Sequence, residues 1–147
     1  MDTTAHAREI VAANRYMVLG TAGADGVPWL SPVWFATEDP GTFLWISKPG
    51  ARHSRNIAVR PEVAIVIYDS SVPPGDARAL YVSAVAAEVD GAERDAAVAT
   101  YSAASEAQGL AAFSSADVGP GGRWRMYRAT ATDRSVLGPG DERLPVA

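Results

Sequence analysis

Lys48-Pro49-Gly50-Ala51-Arg52-His53-Ser54-Arg55-Asn56-Ile57 is the stretch whose residue types come nearest to a chemistry. Four cations and no acid lie between Lys48 and Arg60, in a 147-residue chain whose 17 acidic and 13 basic residues give a net charge of −4. On a helix, Arg52 and Arg55 share one face and His53 and Ile57 another. A helix start carries free N–H groups and a partial positive charge. Ser47, Lys48, Arg52 and His53 grouped around it would cradle a phosphate. The same residues also suit a solvated basic helix that balances acids elsewhere. Twelve of the basic residues are arginines and Lys48 is the one lysine. That skew accompanies an Ala/Val-rich composition and gives no warrant for reading each arginine as a ligand. Lys48, retained at this spot, is the charge that stands out.

Other chemistries lack their residues. There is no cysteine, which removes disulfides, zinc ribbons, iron–sulfur clusters and thiol catalysis. His6 and His53 are the only histidines, too poor a supply for zinc. No G-x-S-x-G elbow occurs. The glycine-proline stretches Val72–Gly75 and Gly119–Gly122 lack the lysine of a phosphate-binding Walker loop. An enzyme built this way would rely on a bound cofactor for its chemistry. The negative net charge argues against nucleic acid, and no apolar run approaches the ~20 residues of a membrane helix. Met1-Asp2-Thr3-Thr4 does not open a signal peptide, so the expectation is a cytoplasmic domain.

The elements that would position the basic segment follow from periodicity and turn residues. Thr3 to Asn14 reads as a short helix with Ala5, Ile10, Val11 and Ala13 on one face. Tyr16–Thr21 and Val27–Ala36 read as strands joined by an Asp25-Gly26 turn, and Thr42–Ser47 follows Asp39-Pro40-Gly41, giving a three-strand meander. Ala51–Arg60 is a second helix stopped by Pro61. Val63–Tyr68 and Ala79–Val89 are strands. Asp90-Gly91-Ala92-Glu93 resembles a capping box opening a helix to about Gln108, where Gly109 ends it. Arg123–Val136 is a last strand, and residues 138–147 read as a frayed tail. The expected fold is mainly β (α+β): a six-stranded antiparallel split barrel with small helices, one domain over 1–147 with its core at about 5–137.

Within Val27–Ala36, Trp29, Ser31, Val33 and Phe35 face one side and Leu30, Pro32, Trp34 and Ala36 the other. Both faces are apolar, so a helix or a second subunit must cover what the core does not. Pro32 marks an edge strand or a bulge. Trp29, Trp34 and Trp45 read as core or dimer contacts, Tyr101 and His6 as packing, and Trp124 equally as packing or ligand contact.

In that order of elements, Trp45–Ile57 followed by Arg60-Pro61-Glu62-Val63-Ala64 resembles the FMN-binding split β-barrel family of pyridoxamine 5′-phosphate oxidase. Gly26–Phe35 resembles the family's second strand, Tyr81–Val89 its later "G-x-A-x-x-V" strand, and Trp124–Arg128 its closing strand. The resemblance runs over about residues 5 to 137. It implies a homodimer with cofactor sites at the subunit interface, holding FMN or, in a related branch, a deazaflavin. Carried over by position, it implies that Ile46 and Ser47 contact the phosphate or ring edge, and that Arg52 and His53 grip the 5′-phosphate, with Lys48 and Arg55 nearby. Ser31 and Val33 would line the ring through main-chain groups, and Trp124 and Arg125 would contribute from the closing strand. His53 stands where the family has lysine, so the resemblance implies phosphate binding that weakens as pH rises. Ser31 and Ala36 replace an arginine and a lysine, and the C-terminus is shorter, which points to a small organic substrate other than pyridoxamine phosphate. A non-catalytic cofactor-binding or haem-handling protein on the same barrel is the alternative of another class.

Overall fold

The strands Tyr16–Ala22, Thr42–Ser47, Glu62–Tyr68, Ala79–Glu88 and Arg125–Leu137 each carry a buried face, and the helices decide which part of the other face is also covered. The computed structural model describes residues 1–147. Its elements are α1 (Thr3–Ala13), β1 (Tyr16–Ala22), β2 (Pro28–Trp34), β3 (Ala36–Asp39), β4 (Thr42–Ser47), α2 (Arg52–Val59), β5 (Glu62–Tyr68), β6 (Ala79–Glu88), α3 (Gly91–Ala107), β7 (Arg125–Leu137) and β8 (Arg143–Pro145). All pairings are antiparallel. The sheet runs β2-β1-β5-β6-β7-β4-β3, with β8 added on β7, and curls into a split barrel. No helix is long and apolar enough to cross a membrane.

The six expected strands become eight, for two physical reasons. Val27–Ala36 breaks at Phe35: its first part pairs with β1 and its second with β4. Those partners lie toward opposite edges of the sheet, so this one segment bridges the split and replaces the expected meander. Pro32 is tolerated because β2 is an edge strand whose only neighbour is β1. The tail is not frayed either. Ser135, Val136 and Leu137 pair with Pro145, Leu144 and Arg143, and Leu144 and Val146 pack on the core. Two apolar side chains separated by one residue let the tail close as a strand.

The barrel interior gathers alternate residues: Met17 and Leu19 of β1, Val33 of β2, Phe43 and Trp45 of β4, Ile65 and Ile67 of β5, Leu80 and Val82 of β6, Tyr127 and Ala129 of β7. Ile10 of α1 and Ile57 of α2 plug it. The opposite side of β4 and β7 supplies Leu44 and Met126 to a second cluster with Ala97, Val98 and Tyr101 of α3. That double coverage explains the unbroken apolar run of β4. Tyr101 is packing, as its place in an amphipathic helix predicts. The outer face of β1, β2 and β5 has no such cover, leaving Leu30 67% exposed. At the start of α3 the expected capping box does not close: the Asp90 side chain makes no cap bond. Glu93 instead reaches Arg128 at 3.5 Å, beside the bidentate Glu38–Arg128 pair.

Candidate functional site

Helix α2 is held at the end of the barrel by short polar ties. Asn56 Nδ2 donates to Thr21 Oγ1 at 3.0 Å, and Arg60 Nε donates to the Gly23 carbonyl at 3.3 Å. A Cβ on Gly23 would sit 2.7 Å from Asn56 Oδ1, so only glycine lets the β1–β2 turn approach this closely. The helix is short and basic, and its Ala51 N-cap has no side chain to satisfy the first-turn amides. Those amides therefore remain available to an anion.

Around that start the fold assembles most of the residues the sequence singled out. Arg52 lies over the Trp29 ring, its guanidinium carbon 4.3 Å from the ring centroid. Ser47, the last residue of β4, is buried, and its Oγ lies 2.8 Å from His53 Nε2. Lys48 Nζ and the Arg123 guanidinium carbon sit 5.8 and 5.9 Å from the centroid of the half-buried Trp124 ring. Arg78 and Arg128 carry all of the protein's salt bridges, so Lys48, Arg52, Arg55 and Arg123 have no carboxylate partner. Unpaired cations beside uncapped amides, flanked by two indoles, form a surface fit for a phosphate and a planar ring.

Several expected contributors sit differently. Burial pushes His53 below its ordinary value of about 6.5, so near neutral pH the imidazole is uncharged and pairs with Ser47. In the free chain His53 therefore lacks, near neutral pH, the charge expected of it. Arg125 is committed to its own loop: its Nη1 donates to the carbonyls of Gly119, Gly122 and Trp124. It shapes the loop that presents Arg123 and Trp124. Arg55 turns to the far flank of α2 and donates to the Gly50 carbonyl at 2.7 Å. Val33 points into the core and Ile46 into the α3 cluster, so neither side chain faces this surface. Ser31 is half-buried on β2, whose outer edge leaves alternate backbone groups unpaired.

Sequence reasoning missed Trp29 as a partner of Arg52, having assigned it to core or dimer contacts. Its signal was the turn before it: Asp25-Gly26 and Pro28 end the hairpin close to Gly23, which docks α2. Trp45 is in the core, while Trp34 packs edge-on against Tyr101 at 5.0 Å and donates from Nε1 to Gln108. His6 Nδ1 accepts from Arg78 Nη2 at 3.1 Å, far from this surface in chain and element.

None of the main clefts of the single chain is lined by Trp29, Ser31, Ser47, Lys48 or Arg52; a hollow of about 330 Å³ lies under α1 instead. The basic–aromatic surface is thus open on the single chain, and Trp124 and Arg123 also border a cleft of about 460 Å³.

The comparisons with known proteins agree with this architecture. The pyridoxamine 5′-phosphate oxidase family model matches residues 3–126. No curated protein sequence matches the chain significantly. Among solved structures, a heme binding protein from Mycobacterium smegmatis superposes with a TM-score of 0.75 at 21% identity, over 97% of this chain and 56% of that one. This chain therefore spans just over half the length of that protein. HutZ, the heme storage protein of Vibrio cholerae, gives 0.67 at 21% identity over 89% and 91% of the two chains. HupZ of Group A Streptococcus gives 0.70 at 15% identity over 98% of each. At these identities the likeness is one of fold.

Proposed function

Because this chain belongs to the pyridoxamine 5′-phosphate oxidase family, we propose that it is an oxidoreductase that holds FMN in the groove between Trp29, α2 and Trp124. The observation that carries this reading is Arg52 laid on Trp29 beside the uncapped start of α2. The residues fit the group. Arg52 and the first amides of α2 would hold the phosphate, Lys48 would add charge at longer range, and the unpaired edge of β2 around Ser31 would meet the ring. Bound there, the flavin would supply hydride or single-electron transfer. The chain's own part is to orient the ring, to keep His53 as a neutral partner of Ser47, and to exclude water.

An open groove does not bury a flavin, since cofactor sites enclose most of their ligand. A second copy of this chain supplies the missing wall in our reading, seated on the uncovered face around Leu30. The substrate is a small organic molecule other than pyridoxamine phosphate: Ser31 brings no charge, and Ala36 is buried in the α3 cluster. A deazaflavin would use the same cradle, with its charged tail over Lys48 and Trp124. Reducing FMN-loaded protein with NADPH under anaerobic conditions tests catalysis. Bleaching of the flavin absorbance that an added acceptor reverses supports an oxidoreductase; an inert flavin leaves a carrier.

A second reading, haem handling, is favoured by the two similar structures described as heme proteins. It ranks lower here because the unpaired cations beside the uncapped start of α2 suit a phosphate, whereas each imidazole already engages one ring nitrogen, His53 Nε2 with Ser47 and His6 Nδ1 with Arg78, and keeps only the other for iron.

A further inference from the structure

We propose that Ser47 and His53 form a nucleophile–base pair that hydrolyses esters of small acyl groups, an activity separate from flavin chemistry. Ser47 closes β4 and His53 lies in the first turn of α2, so their contact spans the turn at residues 48–51. That turn is fixed from both ends. Ala51 N–H donates to the Lys48 carbonyl at 3.1 Å, and Arg55 Nη1 donates to the Gly50 carbonyl at 2.7 Å. Held this way, Ser47 Oγ and His53 Nε2 are 2.8 Å apart, inside the range of about 2.6–3.2 Å in which a base activates a hydroxyl nucleophile. Burial leaves the imidazole uncharged near neutral pH, the state a general base needs.

The same turn supplies donors for the charge that develops in acyl transfer. Arg55 N–H is the first amide of α2 to find a helical acceptor, the Ala51 carbonyl at 3.0 Å. The amides of Arg52, His53 and Ser54 meet no acceptor in the chain. One of these donors belongs to the base itself and the other two flank it. Because Ser47 Oγ touches His53, nucleophile, base and free amides meet at one helical turn, as an oxyanion hole requires. The step balances without a cofactor. Ser47 Oγ bonds to the ester carbonyl carbon as its proton passes to His53 Nε2. The C–O bond to the alcohol then breaks, and the leaving oxygen takes that proton. Water repeats the sequence on the acyl-serine, releasing a carboxylic acid and restoring the hydroxyl. Ser47 is only 7% exposed, so a group the size of acetyl reaches its Oγ and longer acyl chains do not. No carboxylate pairs with His53. The pair therefore lacks the third member that orients the base in a triad, and its turnover is slow. The activity is independent of a flavin, although a phosphate on the same amides would block it.

The test is hydrolysis of 4-nitrophenyl acetate by the full chain, with peptide mass mapping of the acetyl group trapped by acid quenching. Turnover above buffer and an acetyl group on Ser47 are expected, with 4-nitrophenyl butyrate cleaved at least about tenfold more slowly. The rate should rise with pH up to about 6.5 and stay level above it, following deprotonation of His53. Ser47→Ala and His53→Gln should each lower turnover at least about 100-fold, the contribution of a positioned base to its nucleophile, with unaltered circular dichroism. Wild-type turnover in Ser47→Ala, or acetyl found only on Lys48 or the N-terminal amine, would overturn the proposal. Equal rates on the butyrate, or a wild-type chain with neither turnover nor acetylation, would overturn it as well. Because the mapping is done on the wild-type chain, the result stays readable even where a variant fails to fold.

Discussion

Replacing Arg52 by alanine separates the phosphate cradle from every other account of the groove. In this protein Arg52 has no acidic partner, so its deletion breaks no salt bridge, and its exposure makes a folding defect small. A charge-assisted hydrogen bond to phosphate contributes ~1.5–3 kcal/mol. Solvent screening at an exposed arginine favours the lower end, so ~1.5 kcal/mol is expected, roughly a tenfold rise in Kd. Trp29 holds the guanidinium 4.3 Å above its ring. Such a stack contributes ~0.5–1 kcal/mol at an exposed site, so Trp29→Ala should cost about two- to fivefold by letting the side chain wander. The assay is quenching of flavin fluorescence on titration with FMN and, separately, with riboflavin, which has the same ring and no phosphate. Arg52→Ala should weaken FMN about tenfold and leave riboflavin unchanged. Equal losses for both ligands would place Arg52 at the ring or in the fold, and unchanged FMN affinity would remove it from the site.

Three further outcomes follow from the structure. His53 titrates below its ordinary value of about 6.5 because burial disfavours its cation; below that value the unfolded chain binds more protons, so stability rises with pH from the folded-state value up to about 6.5 and is then flat. Denaturant melts from pH 5 to 7 should show that slope flattened in His53→Gln, and FMN affinity should stay level between pH 7 and 8, where a charged histidine would make it fall. Truncation after Leu137 removes half-buried Leu144 and Val146 and the β8 ladder. About 2–3 kcal/mol is lost by area, or roughly 6–9 °C in Tm; an unchanged melting curve would return the tail to a frayed end. Leu30→Glu places a charge on the uncovered sheet face, and sedimentation velocity should show the dimer giving way to a monomer with unaltered circular dichroism; a wild-type chain that sediments as a monomer would contradict the proposed second wall.

Much of the fold was legible because strand patterns are local. The β-branched run Val63–Tyr68 and the aromatic run Thr42–Ser47 needed no knowledge of their partners. The bridging of the split by Val27–Asp39 was not legible, since period-two alternation continues through Phe35 and does not reveal a change of neighbour. The β8 pairing escaped for a related reason: three residues are too few to show a period, and their stability comes from Leu144 meeting the core. In the candidate site, the cations and the helix start were readable from charge and spacing. His53 and Arg125 were not, because their roles depend on long-range burial and on carbonyls presented by a loop. Trp29 illustrates the converse. Its alternation with Val33 implied an inward face, but the strand end overhangs the barrel and leaves it beside α2.

The central claim is that the groove holds a flavin phosphate, and the most direct test is the absorbance spectrum of gently purified protein with the mass of any released ligand. The account predicts flavin bands and the mass of FMN, or uptake of added FMN in stoichiometric amount if the protein is purified empty. A haem Soret band with no flavin, or a colourless protein that takes up neither FMN nor a deazaflavin, would contradict it.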